Sequence, residues 1–463
     1  MVSRKIQLGS FRSKVASLLV LGFLSVLNSP PVCAEGTAGK ESVTQKILDR
    51  MRESNEIDQS TYEAWSAQAR EEAAGSGGGP DNWSFLWKDG FRLSRNDGLF
   101  KLRFGGRIQL DTAGISESDS LNEVGDGDGF GTEFRRSRIY FSGTMGAHLL
   151  FKVEYDFTGG DDGTDFKDVY LGMQNLPGVG RVRVGHFKEP FGLEEMTSSN
   201  HMSFMERSLG GVFNPVRNTG LMADRNFCED SIYLGAGAFF ISDDFGVAFS
   251  DTSNYSVTTR LAGLPHYADE GASLFHLGAA YNHRFINDLR LRRRPESHLA
   301  QRYVDTLKFD SDDADMFSGE AAMVQGPFSL QGEVSGARVQ RTRRKSTSRS
   351  SNASFWGFYG ETSYFLTGER RVYDRKKAAF KAPKPKKPFN PETGDWGAVQ
   401  AVARYSWLSL DDADIRGGIL SDITLGLNWH LYSNTRVMLN YVHAVVHDIG
   451  AADIFQARFQ MTF

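Results

Sequence analysis

FKLRFGGRIQLD, residues 100–111, alternates in chemistry with a period of two. Lys101, Arg103, Arg107, Gln109 and Asp111 share one face of an extended chain, and Phe100, Leu102, Phe104, Ile108 and Leu110 share the other. Alternation held over twelve residues marks a β-strand with one polar and one apolar side. The pattern returns at 136–145, where Arg136, Arg138, Tyr140 and Ser142 oppose Ile139 and Phe141, and at 149–157, where Lys152, Glu154 and Asp156 oppose Phe151, Val153 and Tyr155. Further strands are predicted near 166–174, 180–187, 217–224, 230–240, 254–264, 272–285, 314–325, 327–338, 353–367, 396–410, 419–432, 434–446 and 453–463. The total is roughly 16, an even number as in bacterial transmembrane barrels. The last strand sets Phe455, Ala457, Phe459, Met461 and the terminal Phe463 against Gln456, Arg458, Gln460 and Thr462. A soluble sandwich more often ends in a polar tail. The expected fold is therefore all-β, a transmembrane antiparallel β-barrel of about 16 strands over 81–463, preceded by a short helical segment.

Connection lengths agree with a barrel that has tight periplasmic turns and long outer loops. Gly146, 177–180, Gly326-Pro327 and Ser433-Asn434 mark tight turns, whereas 112–132, 188–216, 286–313 and 339–352 are long. The stretch 368–395 breaks the rule: parity makes it periplasmic, yet it is long and carries Lys376, Lys377, Lys381, Lys384, Lys386 and Lys387 among prolines.

Composition supports export and insertion. Glycine is abundant at 49 of 463 residues, aromatics reach 12%, and a mean hydropathy of -0.38 is too polar for a bundle of membrane helices. The net charge of -4 points neither to nucleic acid nor to a strongly acidic partner. Arg4, Lys5, Arg12 and Lys14 precede an apolar run at 15–27, and Val32 and Ala34 stand at a cleavage site, so 1–34 reads as a secretory signal cut after Ala34. Pro31 and Val32 argue against a lipoprotein signal at Cys33. The run of about 13 residues is short of the roughly 20 that a spanning helix needs. Cleavage leaves Cys228 as the only thiol. Residues 35–80 form a separate segment. Val43, Ile47 and Met51, then Tyr62, Trp65 and Ala69, predict two short helices, the second capped by Asp58 or by a Ser60–Glu63 capping box. A plain helical hairpin and an oligomerisation element are both open readings, and GSGGGP at 75–80 is a flexible linker.

No catalytic grouping assembles, and no metal or cofactor is expected. His443 and His447 lie on one face of a strand but about 13 Å apart, too far for one metal. Asp126-Gly-Asp128-Gly lacks the bidentate glutamate of a calcium loop. Arginine, by contrast, recurs at lumen-side positions: Arg103, Arg107, Arg136, Arg138, Arg181, Arg183, Arg260, Arg404 and Arg458. Guanidinium groups concentrate anions, match phosphate oxygens with a donor fork, and keep their charge at any working pH. The opposing reading pairs them with Glu133, Glu154, Asp156, Asp168 or Glu333 to stiffen the wall. The segment 188–216 carries Phe191, Leu193, Met202, Phe204, Met205 and Phe213, which an exposed loop would not favour. It is expected to fold inward and narrow the pore, or to pack at a subunit interface. Arg103, Arg107, Arg136, Arg138, Arg181, Arg183, Lys188 and Arg404 are the candidate pore-lining, anion-binding residues.

RVRVGHFKEPFG (181–192), ERS (206–208), RNTG (217–220), YFLTGE (364–369), ARYSWLSL (403–410) and FQARFQMTF (455–463) resemble the phosphate-selective porin O and P family, in order from about residue 91 to the end. The resemblance implies a 16-stranded barrel, usually a homotrimer, with basic residues along the channel and an inward loop at the constriction. The family's ring of lysines has no residue-by-residue match here. The function expected is an outer-membrane porin for passive diffusion of small anions, phosphate being the leading candidate, with outer-membrane lipid around it. A non-selective general porin and a structural or adhesive surface barrel are the alternatives.

Overall fold

The computed structural model describes residues 50–52, 58–75, 83–87, 90–123, 127–158, 165–241, 254–341 and 352–463. The signal expected over 1–34, most of the first helix and the linker residues 76–80 lie outside them. The helix Gln59–Gly75 belongs to a compact unit distinct from the one that holds most of the wall. Asp58 Oδ1 accepts the Thr61 N–H at 2.7 Å and the Ser60 hydroxyl at 2.9 Å, so the aspartate supplies the cap.

The wall has sixteen strands. They are β1 (Phe100–Glu117), β2 (Gly129–Met145), β3 (Leu149–Asp156), β4 (Asp165–Leu176), β5 (Gly180–Lys188), β6 (Arg217–Phe227), β7 (Ile232–Phe240), β8 (Tyr255–Ala268), β9 (Ser273–Phe285), β10 (Asp313–Gln325), β11 (Phe328–Gln340), β12 (Ala353–Phe365), β13 (Ala398–Asp412), β14 (Ile415–His430), β15 (Thr435–Val446) and β16 (Gly450–Thr462). Each neighbour in sequence is a neighbour in the sheet, and β16 returns to β1, from Ala452↔Glu117 to Thr462↔Arg107, so no edge is left open along that seam. Every stretch of alternation in the sequence is a wall strand. The second runs further than its alternation shows, from Gly129 rather than 136.

Burial is inverted relative to a soluble protein. Arg107, Gln109 and Asp111 of β1 are buried and Ile108 and Leu110 exposed; in β16 Gln456, Arg458 and Gln460 are buried while Phe455, Phe459 and Met461 are exposed. Apolar side chains outside and polar ones inside suit a wall with lipid around it and a lumen within. The glycines of FKLRFGGRIQLD have their own task. The terminal Phe463 exchanges backbone hydrogen bonds with Gly106 at 2.7 and 3.1 Å, and a Cβ at Gly105 or Gly106 would meet Phe463 atoms at 2.4 or 2.5 Å.

One end of the barrel carries short turns, among them 146–148, 177–179, 326–327 and 431–434. The other carries the long connections 189–216 and 286–312. The parity exception is real: 366–397 is a long connection at the short-turn end, and it folds into the lumen. Phe187, Met222, Tyr233, Leu274 and Val324 of the inner wall pack with Tyr373, Ala378 and Phe380 of this insert. At the long-loop end the inner wall is apolar, contrary to a uniformly polar lumen. Met316, Val339, Phe355, Leu408 and Ile454 bury Phe191, Leu209 and Phe213 of one loop with Leu289, Leu291 and Val304 of the other. Strand ends that are apolar on both sides mark where inserted chain covers the wall.

Candidate functional site

The connection 189–216 enters the lumen because both its apolar and its charged groups find partners there. Phe191, Leu193, Leu209 and Phe213 are fully buried. Its backbone carbonyls accept from wall side chains: Met202 from Arg436 at 2.7 Å, Ser203 from Asn428 at 2.7 Å, Met205 from Arg458 at 2.6 Å and Glu206 from Arg404 at 2.8 Å. Its carboxylates are all engaged. Glu189 takes Asn218, Ser256, Thr258 and Asn282; Glu194 takes Ser208 and Arg404; Glu195 takes Lys188 at 2.6 Å and Arg207 at 3.0 Å; Glu206 takes Arg135 and Arg458. Burial raises the Glu195 carboxyl, but Arg207 and Lys188 outweigh it and hold it at about 2. From the opposite wall Glu333 accepts the N–H groups of Leu193 and Glu194 at 3.0 and 2.6 Å and the Tyr359 hydroxyl at 2.7 Å. Unmade bonds to buried polar groups are costly, so this web fixes the loop in one position.

The connection 286–312 enters from the same end. Glu296 receives Arg404, Ser406 and Thr424, its N–H donates to Asp422 at 2.8 Å, and Arg293 donates to the carbonyls of Arg207 and Ser208. From the short-turn end, 366–397 is held by Arg371 on Gln331 and Glu361, Tyr373 on His276 at 2.7 Å, and Arg260 on the Ala378 carbonyl at 2.8 Å. The inserts from opposite ends touch: the Phe380 N–H donates to the Thr197 hydroxyl at 3.4 Å.

Below that contact, at the short-turn end, lies a chamber of about 1520 Å³. Twelve cations line it: Arg92, Arg103, Arg107, Lys152, Arg181, Arg183, Lys188, Arg370, Lys377, Lys381, Lys384 and Lys386, against the four carboxylates of Asp168, Glu270, Glu369 and Asp374. Lys377 sits below the usual lysine range, through burial first, with Asp374 opposing and the positive neighbours Lys152, Arg181 and Arg103 adding to the shift. Ser198, Asn200 and His201 of the inward loop complete the lining. His201 is held neutral at about 3 by burial and by Arg436, Lys377 and Arg107.

Of the residues singled out from sequence, Arg103, Arg107, Arg181, Arg183 and Lys188 reach this chamber, and Arg136, Arg138 and Arg404 do not line it. Arg103 stacks 5.4 Å from the Tyr140 ring. Arg107 donates to Ser199 at 2.8 Å and Glu154 at 3.2 Å, and Arg181 and Arg183 share Asp224. Arg138 is paired with Asp156 at 2.6 Å, Arg136 bonds Gln109 at 2.7 Å, and Arg404 is enclosed by Glu194, Glu296 and Phe204. Cross-strand register makes these pairs: Arg138 faces Asp156 directly. Sequence reasoning missed the insert lysines as lining residues, although their run was plain, because parity placed them outside the pore. It also passed over Arg290, Arg292, Arg294 and Arg302 in the loop 286–312. Arg290 pairs with Asp305, and Arg302 lies below the usual guanidinium range through burial and then through Arg292 and Arg294. Their i, i+2 spacing at 290–294 was the available signal.

Comparison with known proteins agrees with this architecture. The family model described as phosphate-selective porin O and P matches residues 102–463. Porin O of Pseudomonas aeruginosa is 26% identical over 420 residues, covering 81% of this chain and 91% of that protein; a protein of Caulobacter vibrioides is 27% identical over 370 residues, covering 77% and 70%. Among solved structures, the anion-selective porin from Comamonas acidovorans superimposes with a TM-score of 0.50 at 14% identity, covering 79% of this chain and 100% of that one. The outer membrane channel DcaP of Acinetobacter baumannii gives 0.50 at 11%, covering 80% and 99%. With the closed wall, the inward loop and the match over nearly the whole barrel in hand, the chain belongs to the phosphate-selective porin O and P family.

Proposed function

We propose that this outer-membrane porin passes small anions, phosphate among them, by passive diffusion, and that its selectivity resides in the cationic chamber at the periplasmic, short-turn end. The observation that carries the reading is the excess of twelve lining cations over four lining carboxylates around one chamber of the lumen. A low-dielectric wall focuses the field of those charges on the passing ion, and separate donors at moderate spacing let it leave as readily as it enters. On this reading Arg103, Arg107, Arg181, Arg183 and Lys188 act with Lys377, Lys381, Lys384 and Lys386. Arg136, Arg138 and Arg404 serve mainly to hold the wall and the inward loops. The arginines of 290–302 gather anions at the outer mouth. Assembly as a homotrimer is part of the proposal, as membership of this family implies. Pairing of so many wall arginines favours the second reading, a general porin of weak selectivity. Reversal potentials in planar bilayers under a KCl gradient, followed by phosphate competition against chloride current, separate the two. A potential of anion sign with phosphate block supports the proposal, and a potential near zero refutes it.

A further inference from the structure

Two outward corners of the wall carry the same four residues in the same register. On β9 and β10, His283 stands opposite Asp315 and Tyr281 opposite Phe317; on β15 and β16, His443 stands opposite Asp453 and Tyr441 opposite Phe455. Their sequence neighbours Asn282, Met316, Val442 and Ile454 are buried, so alternation turns these side chains outward. Both hairpins close at the long-loop end. The Tyr281 hydroxyl and His283 Nδ1 meet Asp315 Oδ1 at 2.5 and 2.7 Å, and the Tyr441 hydroxyl and His443 Nδ1 meet Asp453 Oδ1 at 2.6 and 2.7 Å. One carboxylate oxygen thus takes both donors. Among the described residues nothing donates to Oδ2 of either aspartate, and the two side chains stay 31% and 50% exposed. A carboxylate with a bare oxygen is costly on a lipid-facing wall unless a donor reaches it from outside.

We propose that the two corners bind sugar hydroxyl groups of a glycolipid in the outer leaflet, which the long-loop end of such a barrel meets. Oδ2 accepts from one hydroxyl, and Nε2, the ring nitrogen that the aspartate does not take, meets a second. A hydroxyl can donate to a neutral ring or accept from a protonated one, whereas an ammonium fits only the neutral ring. Charge also disfavours an ammonium. Arg338, exposed on β11, is directly opposite Asp315, while Ser116 of β1 is opposite Asp453. A ligand common to both corners must tolerate that guanidinium. The acyl chain has a place as well: beside the second corner an apolar groove of about 500 Å³ is lined by Phe130, Leu425, Leu427, Leu439, Tyr441 and Phe455. A second copy of the chain does not account for the pair. The corners are six strands apart, about 135° around a round wall of sixteen, whereas the faces that meet two neighbours in a threefold ring are about 60° apart.

The test uses the full chain in phosphatidylcholine vesicles with trace lipids spin-labelled in the acyl chain and headed by galactose, phosphocholine or phosphoethanolamine. Electron spin resonance reads the fraction of each label that the protein immobilises. The galactosyl label should associate several-fold more strongly than the phosphocholine one. Asp315→Ala and Asp453→Ala should each remove part of that excess, and together all of it, with the reversal potential of the channel unchanged. No galactosyl preference in the native chain, or one that survives in the double variant, overturns the proposal. So does a preference for phosphoethanolamine, which would assign the corners to an ammonium. Should the double variant fail to fold, the native chain is compared on the galactosyl label and its O-methylated form, which keeps the ring and loses the donors; equal association overturns the proposal.

Discussion

Changing Lys377, Lys381, Lys384 and Lys386 together to glutamate reads the charge of the chamber most directly. One unbalanced charge in 1520 Å³ corresponds to about 1 M of counter-ion if the volume is to stay neutral. The formal excess is five, twelve cations less the four lining carboxylates and less Glu154, Asp224 and Glu195, which pair with Arg107, Lys152, Arg181, Arg183 and Lys188, or roughly 5 M of fixed charge by the same reasoning. Against a bath of about 0.1 M salt, where screening extends about 10 Å and the chamber is about 11 Å across, cations are excluded by orders of magnitude. A single reversal lowers the excess from five to three and should leave the reversal potential within a few millivolts of the native one. The quadruple reversal brings it to minus three, and the potential should pass from near the ideal anion limit of about 59 mV per tenfold gradient through zero to the cation sign. In about 1 M salt, with screening near 3 Å, the native channel itself should lose much of its preference. A quadruple variant that keeps most of the native potential refutes the chamber as the selective element and points to the arginines at 290–302. Loss of all preference in one single variant refutes the volume argument in favour of a single binding site.

Three further outcomes follow from the fixing of the inward loop. Glu333→Ala removes the acceptor of two loop N–H groups and a phenol, hydrogen bonds of about 0.5–1.5 kcal/mol each; single-channel currents should become larger and noisier, and unchanged records would show that Glu333 does not hold the loop. Arg458→Ala leaves Asp111 buried beside the β16–β1 seam at a cost of about 3–5 kcal/mol; the denaturation temperature of the folded band on unheated gels should fall with the reversal potential unchanged, and a shifted potential would place Arg458 on the ion path. The Glu195 carboxyl lies at about 2 instead of 4.5, so its contribution is complete above pH 4.5 and lost only as pH falls through about 2; conductance should stay flat from pH 7 to 4, and a step centred near 4.5 would contradict the latch.

The wall was legible because lipid outside and water inside impose one rule on every residue of a strand, as Phe100 to Asp111 show without any knowledge of neighbours. The inward loop was legible for the same kind of reason: Phe191, Leu193 and Phe213 need cover. Which arginines face the path was not, since that depends on register and closure. Asp111 and Arg458 meet across 347 residues of sequence, and only the return of β16 to β1 brings them together. The lumenal course of the insert 366–397 was not legible either, for parity gave only the end of the barrel it lies at, and a run of lysines among prolines does not tell that Tyr373, Ala378 and Phe380 fill an apolar recess of the lumen.

Those two facts together bear on where selectivity can be set. A buried guanidinium such as that of Arg404 or Arg458 is needed by the carboxylates around it, and removing it strands them without a partner. The wall cations are thus bound to the fold, and their charge is largely balanced where it stands. Among the described residues Lys381, Lys384 and Lys386 of the insert carry no such duty. The insert is anchored by Arg371, Tyr373 and the Ala378 and Phe380 backbone, while Lys381, Lys384 and Lys386 lie beyond those anchors and still face the chamber. Their charge can be altered with little cost to the barrel, so the same wall can carry channels of different preference. On the proposed function, the closed strands fix a bore, and a segment that belongs to none of them sets the sign of the field within it.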